Sequence, residues 1–220
     1  MRQQVFVKHQ VFFVWFLIFI VWAFYRAYFR LPEWVDEFIV KPLVFFLPVF
    51  YLVIVRKKQP MSELGLPSSP KNFFTDLYLG VAVGVFFALE GLLANYLKYG
   101  KFSFAPILAA KSFPLGWFFL INLSTSIWEE ILGRGYLYNQ LYKATKNQLW
   151  AAFASSFLFL LLHVPIMFTQ LHLMGTSLLI YPVSILLLGI TNSYVFSLRG
   201  SLTLPILLHT FWNMTIALYL

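Results

Sequence analysis

The chain has 220 residues, of which 60% are hydrophobic and only 11% are charged, and its mean hydropathy is +0.78. Soluble domains carry about 25% charged residues, so the composition excludes a secreted disulfide framework, a disordered regulator and a nucleic-acid-binding domain. The absence of cysteine also excludes a thiol protease and a thiolate metal site. The net charge of +8 is typical of membrane topology, because Lys and Arg collect in cytoplasmic loops.

Apolar stretches separated by charges and by Pro and Gly clusters predict membrane-spanning helices along the whole chain. A bilayer core of about 30 Å needs about 20 helical residues, and no Lys, Arg, Asp or Glu occurs between Lys146 and Arg199. The seven predicted spans are 11–25, 38–55, 77–97, 114–140, 149–167, 176–198 and 202–220. The second is expected to kink at Pro48. A re-entrant segment at 102–110 would change the count.

These elements predict an all-α fold, a polytopic transmembrane bundle of seven helices, or eight, that forms one integral-membrane domain over residues 1–220. Alternate loops differ in positive charge. One set holds Arg2, Lys8, Arg56, Lys57, Lys58, Lys71, Arg134, Lys143, Lys146 and Arg199, and the other holds Arg26, Arg30, Lys41, Lys98, Lys101 and Lys111. The excess predicts a multi-pass protein of the cell membrane with a cytoplasmic N-terminus.

The third span carries two features of its own. Gly80 and Gly84 form a small-residue stripe that lets a neighbouring helix approach closely. Glu90 lies in the same apolar segment and matches no motif, so we expect it to have a structural role.

Ionisable residues inside apolar segments cost about 2.5–3.5 kcal/mol each on insertion scales unless they are paired or wetted. Beside Glu90, the costly groups are Glu129, Glu130, Arg134, His163, His209 and Asn213. Adjacent helical residues are 100° apart, so Glu129 and Glu130 are expected to address different targets. Glu130 and Arg134 stand at i and i+4 and predict an intrahelical ion pair.

Glu129 then needs a partner from another helix, and histidine supplies one. His209 and Asn213 also stand at i and i+4, so one face of the last span presents an imidazole and an amide. A desolvated carboxylate and an imidazole can activate water, and an amide with a second imidazole can stabilise an oxyanion. Together with His163, these groups are sufficient for hydrolysis of an amide bond.

Three motifs occur in a fixed order. Residues 129–134 (EEILGR) fit E-E-x-x-x-R, residues 159–163 (FLLLH) fit F-x-x-x-H, and residues 209–213 (HTFWN) fit H-x-x-x-N. In this combination they resemble the CPBP family of intramembrane glutamic endopeptidases, which includes type II CAAX prenyl endopeptidases and bacteriocin-processing or self-immunity proteins. The resemblance covers about 74–220, with an ELGL run at 63–66 before it, whereas the two spans in 1–73 carry no motif.

The resemblance implies that Glu129 and His163 activate the water, that His209 and Asn213 form the oxyanion hole, and that Glu130 and Arg134 are supporting residues. It further implies a conical intramembrane cavity, open toward the cytosol and the lipid. The implied substrate is a membrane-associated peptide or protein, such as a CAAX-type lipidated tail or a leader peptide, with no cofactor.

Several alternatives stay open. Glu130 and Arg134 alone would serve as a helix-stabilising ion pair, and His163 could be a core histidine bonded to a carbonyl freed by Pro165. A zinc site is disfavoured, because no H-E-x-x-H is present. The main functional alternative is a non-catalytic immunity or regulatory protein of the same fold that binds a peptide or membrane partner. A transporter or proton relay is a third.

Overall fold

The computed structural model describes residues 2–66, 69–100 and 114–219, and within these ranges it contains helices and no strands. These ranges contain seven helical segments: α1 (Arg2–Tyr28), α2 (Glu33–Arg56), α3 (Pro70–Tyr99), α4 (115–145), α5 (Gln148–Thr169), α6 (Ser177–Arg199) and α7 (Thr203–Tyr219). A short 3₁₀ turn, Met61–Leu64, lies between α2 and α3.

The predicted all-α bundle is confirmed, and each predicted span coincides with one helical segment. Five helices in the described part are long and apolar enough to cross a membrane, namely α1, α2, α3, α5 and α6, and α7 is a shorter apolar helix. The fourth, α4, joins two α-helical pieces, Leu115–Glu130 and Asn139–Thr145, through a π-helical stretch, Ile131–Tyr138. The re-entrant segment considered at 102–110 lies outside the described residues.

Helix ends follow local sequence signals. The Ser69 hydroxyl accepts a hydrogen bond from the Asn72 amide at the start of α3, and the Asn147 side chain accepts one from the Trp150 amide at the start of α5. Gly200, at φ +63°, ends α6 in the left-handed conformation that glycine adopts without strain. Polar caps and glycine therefore set where these apolar helices begin and end.

The second helix, in which a kink is predicted at Pro48, runs continuously through Glu33–Arg56. It contains three π-helical stretches, in which the turns are wider: Asp36–Val40, Pro42–Phe46 and Tyr51–Arg56. Such wide turns are frequent at functional sites in helices.

Six helices form a ring in which each packs on the next, in the order α1, α5, α6, α7, α4 and α2, with α2 returning to α1. The third helix lies outside this ring and packs on α7. A Cβ added at Gly80 would lie 2.3 Å from Leu207, and one at Gly84 would lie 2.6 Å from Phe211. The predicted glycine stripe is confirmed, and it holds α7, the helix that carries His209 and Asn213.

Successive helices run in opposite directions across the bundle. At the end that holds the start of α1, Lys8 lies 5.5 Å from the ring centre of Trp150, and Lys143 pairs with Glu63. At the opposite end, the Arg30 guanidinium donates to the Thr169 carbonyl at 2.7 Å. The loops with the excess of Lys and Arg therefore lie together at the N-terminal end.

Candidate active site

The ring of six helices encloses a cavity of about 1070 Å³. The four residues predicted to carry the chemistry, Glu129, His163, His209 and Asn213, all line it. They come from three different helices, α4, α5 and α7, so only the packing of the bundle brings them together.

Glu129 is 6% exposed and contacts groups from three helices. Its Oε1 accepts a hydrogen bond from the Lys41 ammonium of α2 at 2.7 Å. Its Oε2 lies 3.9 Å from His163 Nε2 and 3.6 Å from His209 Nε2. One oxygen is therefore held by a cation, while the other faces both imidazoles beyond direct hydrogen-bond distance.

The backbone fixes the protonation pattern of His163. Its Nδ1 lies 3.0 Å from the Phe159 carbonyl, which can only accept a hydrogen bond, so Nδ1 carries the proton. In the neutral ring, Nε2 is then an acceptor that faces Glu129. The bonded carbonyl belongs to Phe159, four residues back, and is not the one that Pro165 frees, so that detail of the core-histidine interpretation is wrong.

His209 connects the two adjacent carboxylates of α4. Its Nδ1 lies 2.8 Å from Glu130 Oε1, and its Nε2 faces Glu129 Oε2. The expectation that Glu129 and Glu130 address different targets is thus wrong for this ring. The two side chains diverge by 100°, but one imidazole offers them nitrogens on opposite edges.

Glu130 is fully buried and organises the layer behind the cavity. Its Oε1 accepts from Arg134 Nη1 at 2.9 Å, which confirms the predicted pair, and from Asn192 Nδ2 at 2.9 Å. Arg134 also lies 5.1 Å above the ring of Phe159. Because Glu130 gathers donors from α4, α6 and α7, it fixes the position of His209.

Asn213 lines the cavity one turn beyond His209 and is half-buried. None of the hydrogen bonds found in the described ranges involves its side chain, so its amide is available to a bound molecule. This availability sets it apart from His209, which Glu130 already holds.

Sequence reasoning missed Lys41 and Asn192. Lys41 interrupts an apolar run, and the cost of ionisable residues in membranes makes it a candidate, but the comparison of loop charges assigns it to a loop. It is 3% exposed and bridges Glu129 and Glu37, the latter at 2.8 Å. Asn192 is an uncharged residue in an apolar helix, and no spacing linked it to Glu130.

The described lining of the cavity reaches the end of the bundle opposite the N-terminus, where the α1–α2 and α5–α6 connections and the end of α7 contribute Leu31, Glu33, Gln170, Leu173, Thr176, Ser177 and Ala217. Several of these residues are exposed, and we call this end of the cavity the mouth. The sequence analysis expects both a cytoplasmic N-terminus and a cavity that opens toward the cytosol. These two expectations are incompatible, because the N-terminus and the mouth lie at opposite ends of the bundle.

No group of three or more His, Asp or Glu side chains in the described ranges is arranged to hold a metal ion. Glu90 is exposed on α3, and no hydrogen bond or ion pair joins it to another described residue. Apart from Glu90, the polar and ionisable groups that the sequence analysis singled out therefore lie in the cavity or in the layer directly behind it.

The fold and the site define a class: a polytopic membrane protein whose helices enclose a carboxylate, two imidazoles and an amide at one cavity. Residues 111–215 match the model of the family of Rce1-like type II CAAX prenyl endopeptidases. This stretch holds all three motifs, so the match confirms the resemblance, and the matched family is one of membrane proteases. No curated protein and no solved structure matches the chain.

Proposed function

We propose that the protein is an intramembrane endopeptidase of glutamic type that cleaves a membrane-associated peptide or protein. The observation that carries the proposal is the convergence of Glu129, His163, His209 and Asn213 on one cavity. A cavity that is apolar on one wall and polar at its base suits a peptide segment delivered from the bilayer.

The first step is activation of a water molecule between α4 and α5. A water oxygen can reach both Glu129 Oε2 and His163 Nε2, which lie 3.9 Å apart. One proton of the water passes to Glu129. The other stays on the water oxygen and donates a hydrogen bond to the unprotonated Nε2 of His163. The water oxygen then forms a bond to the carbonyl carbon of the scissile peptide.

The second step is stabilisation of the oxyanion on the substrate carbonyl. Asn213 offers its amide N–H groups, and His209 offers Nε2–H when its ring is protonated, since Glu130 keeps the other proton on Nδ1. Collapse of the intermediate breaks the C–N bond, and Glu129 returns its proton to the departing amine. Glu130 and Arg134 are positioning residues.

We also propose that the N-terminus is cytoplasmic, as the basic loops favour, so the mouth faces the other side of the membrane. Ile180 is 67% exposed and Ile216 is 37% exposed, and both line the cavity between α6 and α7. This apolar edge supplies a lateral path from lipid. The substrate therefore enters from the bilayer or from the non-cytoplasmic surface, as a leader peptide or an acylated tail would.

The decisive experiment uses purified protein in lipid vesicles with a membrane-peptide library, read by mass spectrometry. Glu129→Gln should lower the cleavage rate at least about 100-fold, because general acid–base catalysis contributes 10²–10⁴-fold. Glu90→Gln makes the same chemical change outside the cavity and should cleave like the wild type. Cleavage by Glu129→Gln at the wild-type rate would refute the proposal.

The alternative, a non-catalytic immunity or regulatory protein that uses the same cavity to bind a peptide, is favoured by one observation. Lys41 already occupies Oε1 of Glu129, so the carboxylate is partnered without substrate. Protection or partner binding that survives loss of both Glu129 and His163 would support this alternative.

A further inference from the structure

One face of α2 carries a charged stripe from the mouth to the catalytic carboxylate. Glu33, Glu37 and Lys41 are spaced by four residues, which places them one above another on a helix. All three line the cavity, and Lys41 touches Glu129. The stripe thus joins the solvent end of the cavity to its reactive end.

The stripe makes the cavity acidic in a basic protein. Among the described residues, five carboxylates and three permanent cations line the cavity or lie directly behind it: Glu33, Asp36, Glu37, Glu129 and Glu130 against Arg26, Lys41 and Arg134. Protonation of His209 would add one positive charge and still leave the set negative. The chain as a whole carries +8, so this local excess attracts a cation.

Two of these carboxylates have binding capacity left over. Glu37 is 5% exposed, and its Oε1 binds Lys41, while Oε2 is buried without a hydrogen-bond partner in the described part of the chain. A buried unpaired carboxylate oxygen is costly. Glu33, one turn nearer the mouth, is exposed and makes no ion pair with any described residue.

The lining that α5, α6 and α7 contribute is mainly apolar, with a few polar side chains such as Tyr181 and Ser184. It includes Ile166, Leu173 and Ile180 from α5, α6 and their connection, and Trp212 and Ile216 from α7. A ligand that satisfies both walls has apolar side chains on one face and a positive charge on the other.

We propose that Glu33 and Glu37 form a subsite for a cationic group of the substrate, a lysine or arginine side chain or a terminal ammonium. This inference rests on the proposed function and names its substrate class. Glu37 lies one helical turn, about 5.4 Å, from Lys41. The charged residue therefore lies roughly two to four extended residues from the scissile bond, on its mouth side.

The test compares two peptides that differ in one group. The probe is a fluorescent leucine- and alanine-rich peptide with a single lysine, and its partner carries acetyl-lysine at that position. Binding to the wild type in nanodiscs should be about tenfold tighter for lysine, as for one charge-assisted hydrogen bond. Glu33→Gln should reduce this ratio several-fold. Glu33→Lys should reverse the charge preference, so that a third peptide with glutamate at the same position binds more tightly than the lysine peptide.

Glu37→Gln should reduce the preference for the lysine peptide further. Glu37 is buried, so this variant can fail to fold; Glu33 is exposed, and Glu33→Gln then still tests the subsite. Equal binding of the lysine and acetyl-lysine peptides by the wild type would overturn the subsite. Binding and cleavage are measured separately. A lysine preference without cleavage would support the subsite and refute the peptidase activity. Cleavage without a lysine preference would support the peptidase activity and refute the subsite.

Discussion

Two regions of the molecule build the cavity in different ways. Residues 111–215, which match the family model, supply the carboxylate, both imidazoles and the amide. Helices α1 and α2 carry no motif, yet they supply the charges that surround the carboxylate, including Lys41 and Glu37. The candidate reactive groups and their electrostatic surroundings thus come from separate parts of the chain.

Motif residues alone do not describe this site, because helices without a motif supply part of it. A buried carboxylate needs a counter-charge or bound donors, and Glu129 obtains its cation from α2. The Arg26–Asp36 pair, at 2.6 Å, holds α1 against α2 on the same wall. The candidate catalytic groups therefore depend on helices outside the matched region.

The largest expected effect concerns which end of the bundle faces the cytoplasm. The chain has no cysteine, so single cysteines report without further changes. Thr176→Cys at the mouth should react fully with a membrane-impermeant maleimide on intact cells, whereas Lys146→Cys at the opposite end should react only after permeabilisation. The reverse pattern would place the N-terminus outside and the mouth in the cytosol.

Lys41→Met tests the contribution of the unmatched region. Removal of the ammonium leaves Glu37 and Glu129 buried without their shared cation, and breaking a buried pair costs about 3–5 kcal/mol. The free energy of unfolding in detergent should fall by that amount. Lys98→Met changes an exposed lysine on α3 and serves as the control. A melting curve unaltered by Lys41→Met would show that Lys41 is not the counter-ion.

Gly189→Ala tests the packing of the matched region with a smaller expected effect. The added Cβ would lie 2.7 Å from Ser156 Oγ and 3.0 Å from Arg134 Nη2. Overpacking of this kind costs about 1–3 kcal/mol, and the shift of Arg134 should also lower activity through Glu130 and His209. Gly116→Ala meets nothing within 4 Å and should be neutral or stabilising. Equal stability of the two variants would contradict the tight fit at Gly189.

The helices and most of the site were predictable from the sequence for local reasons. Apolar runs of membrane length must form helices because their backbone groups have no other hydrogen-bond partners in lipid. The i, i+4 spacing of Glu130 and Arg134 fixes that pair within one helix, and the glycine stripe indicated the close approach of α3 to α7. Each of these signals lies within a single segment of the chain.

Other features depend on contacts between segments. No pattern in the sequence indicated which helix supplies the cation for Glu129, and Lys41 lies 88 residues away from it. The sharing of His209 by two diverging carboxylates follows from the placement of α7, and so does the position of the mouth.

By itself the sequence determined that this is a helical membrane protein and which polar groups are candidates for its chemistry, because burying a charge in lipid is costly enough to mark each one. Only the tertiary structure decided which groups meet, since helices in a bilayer associate through packing and interhelical hydrogen bonds that no single segment encodes. The tertiary structure alone therefore revealed the roles of Lys41 and Asn192 and the end of the bundle toward which the cavity extends.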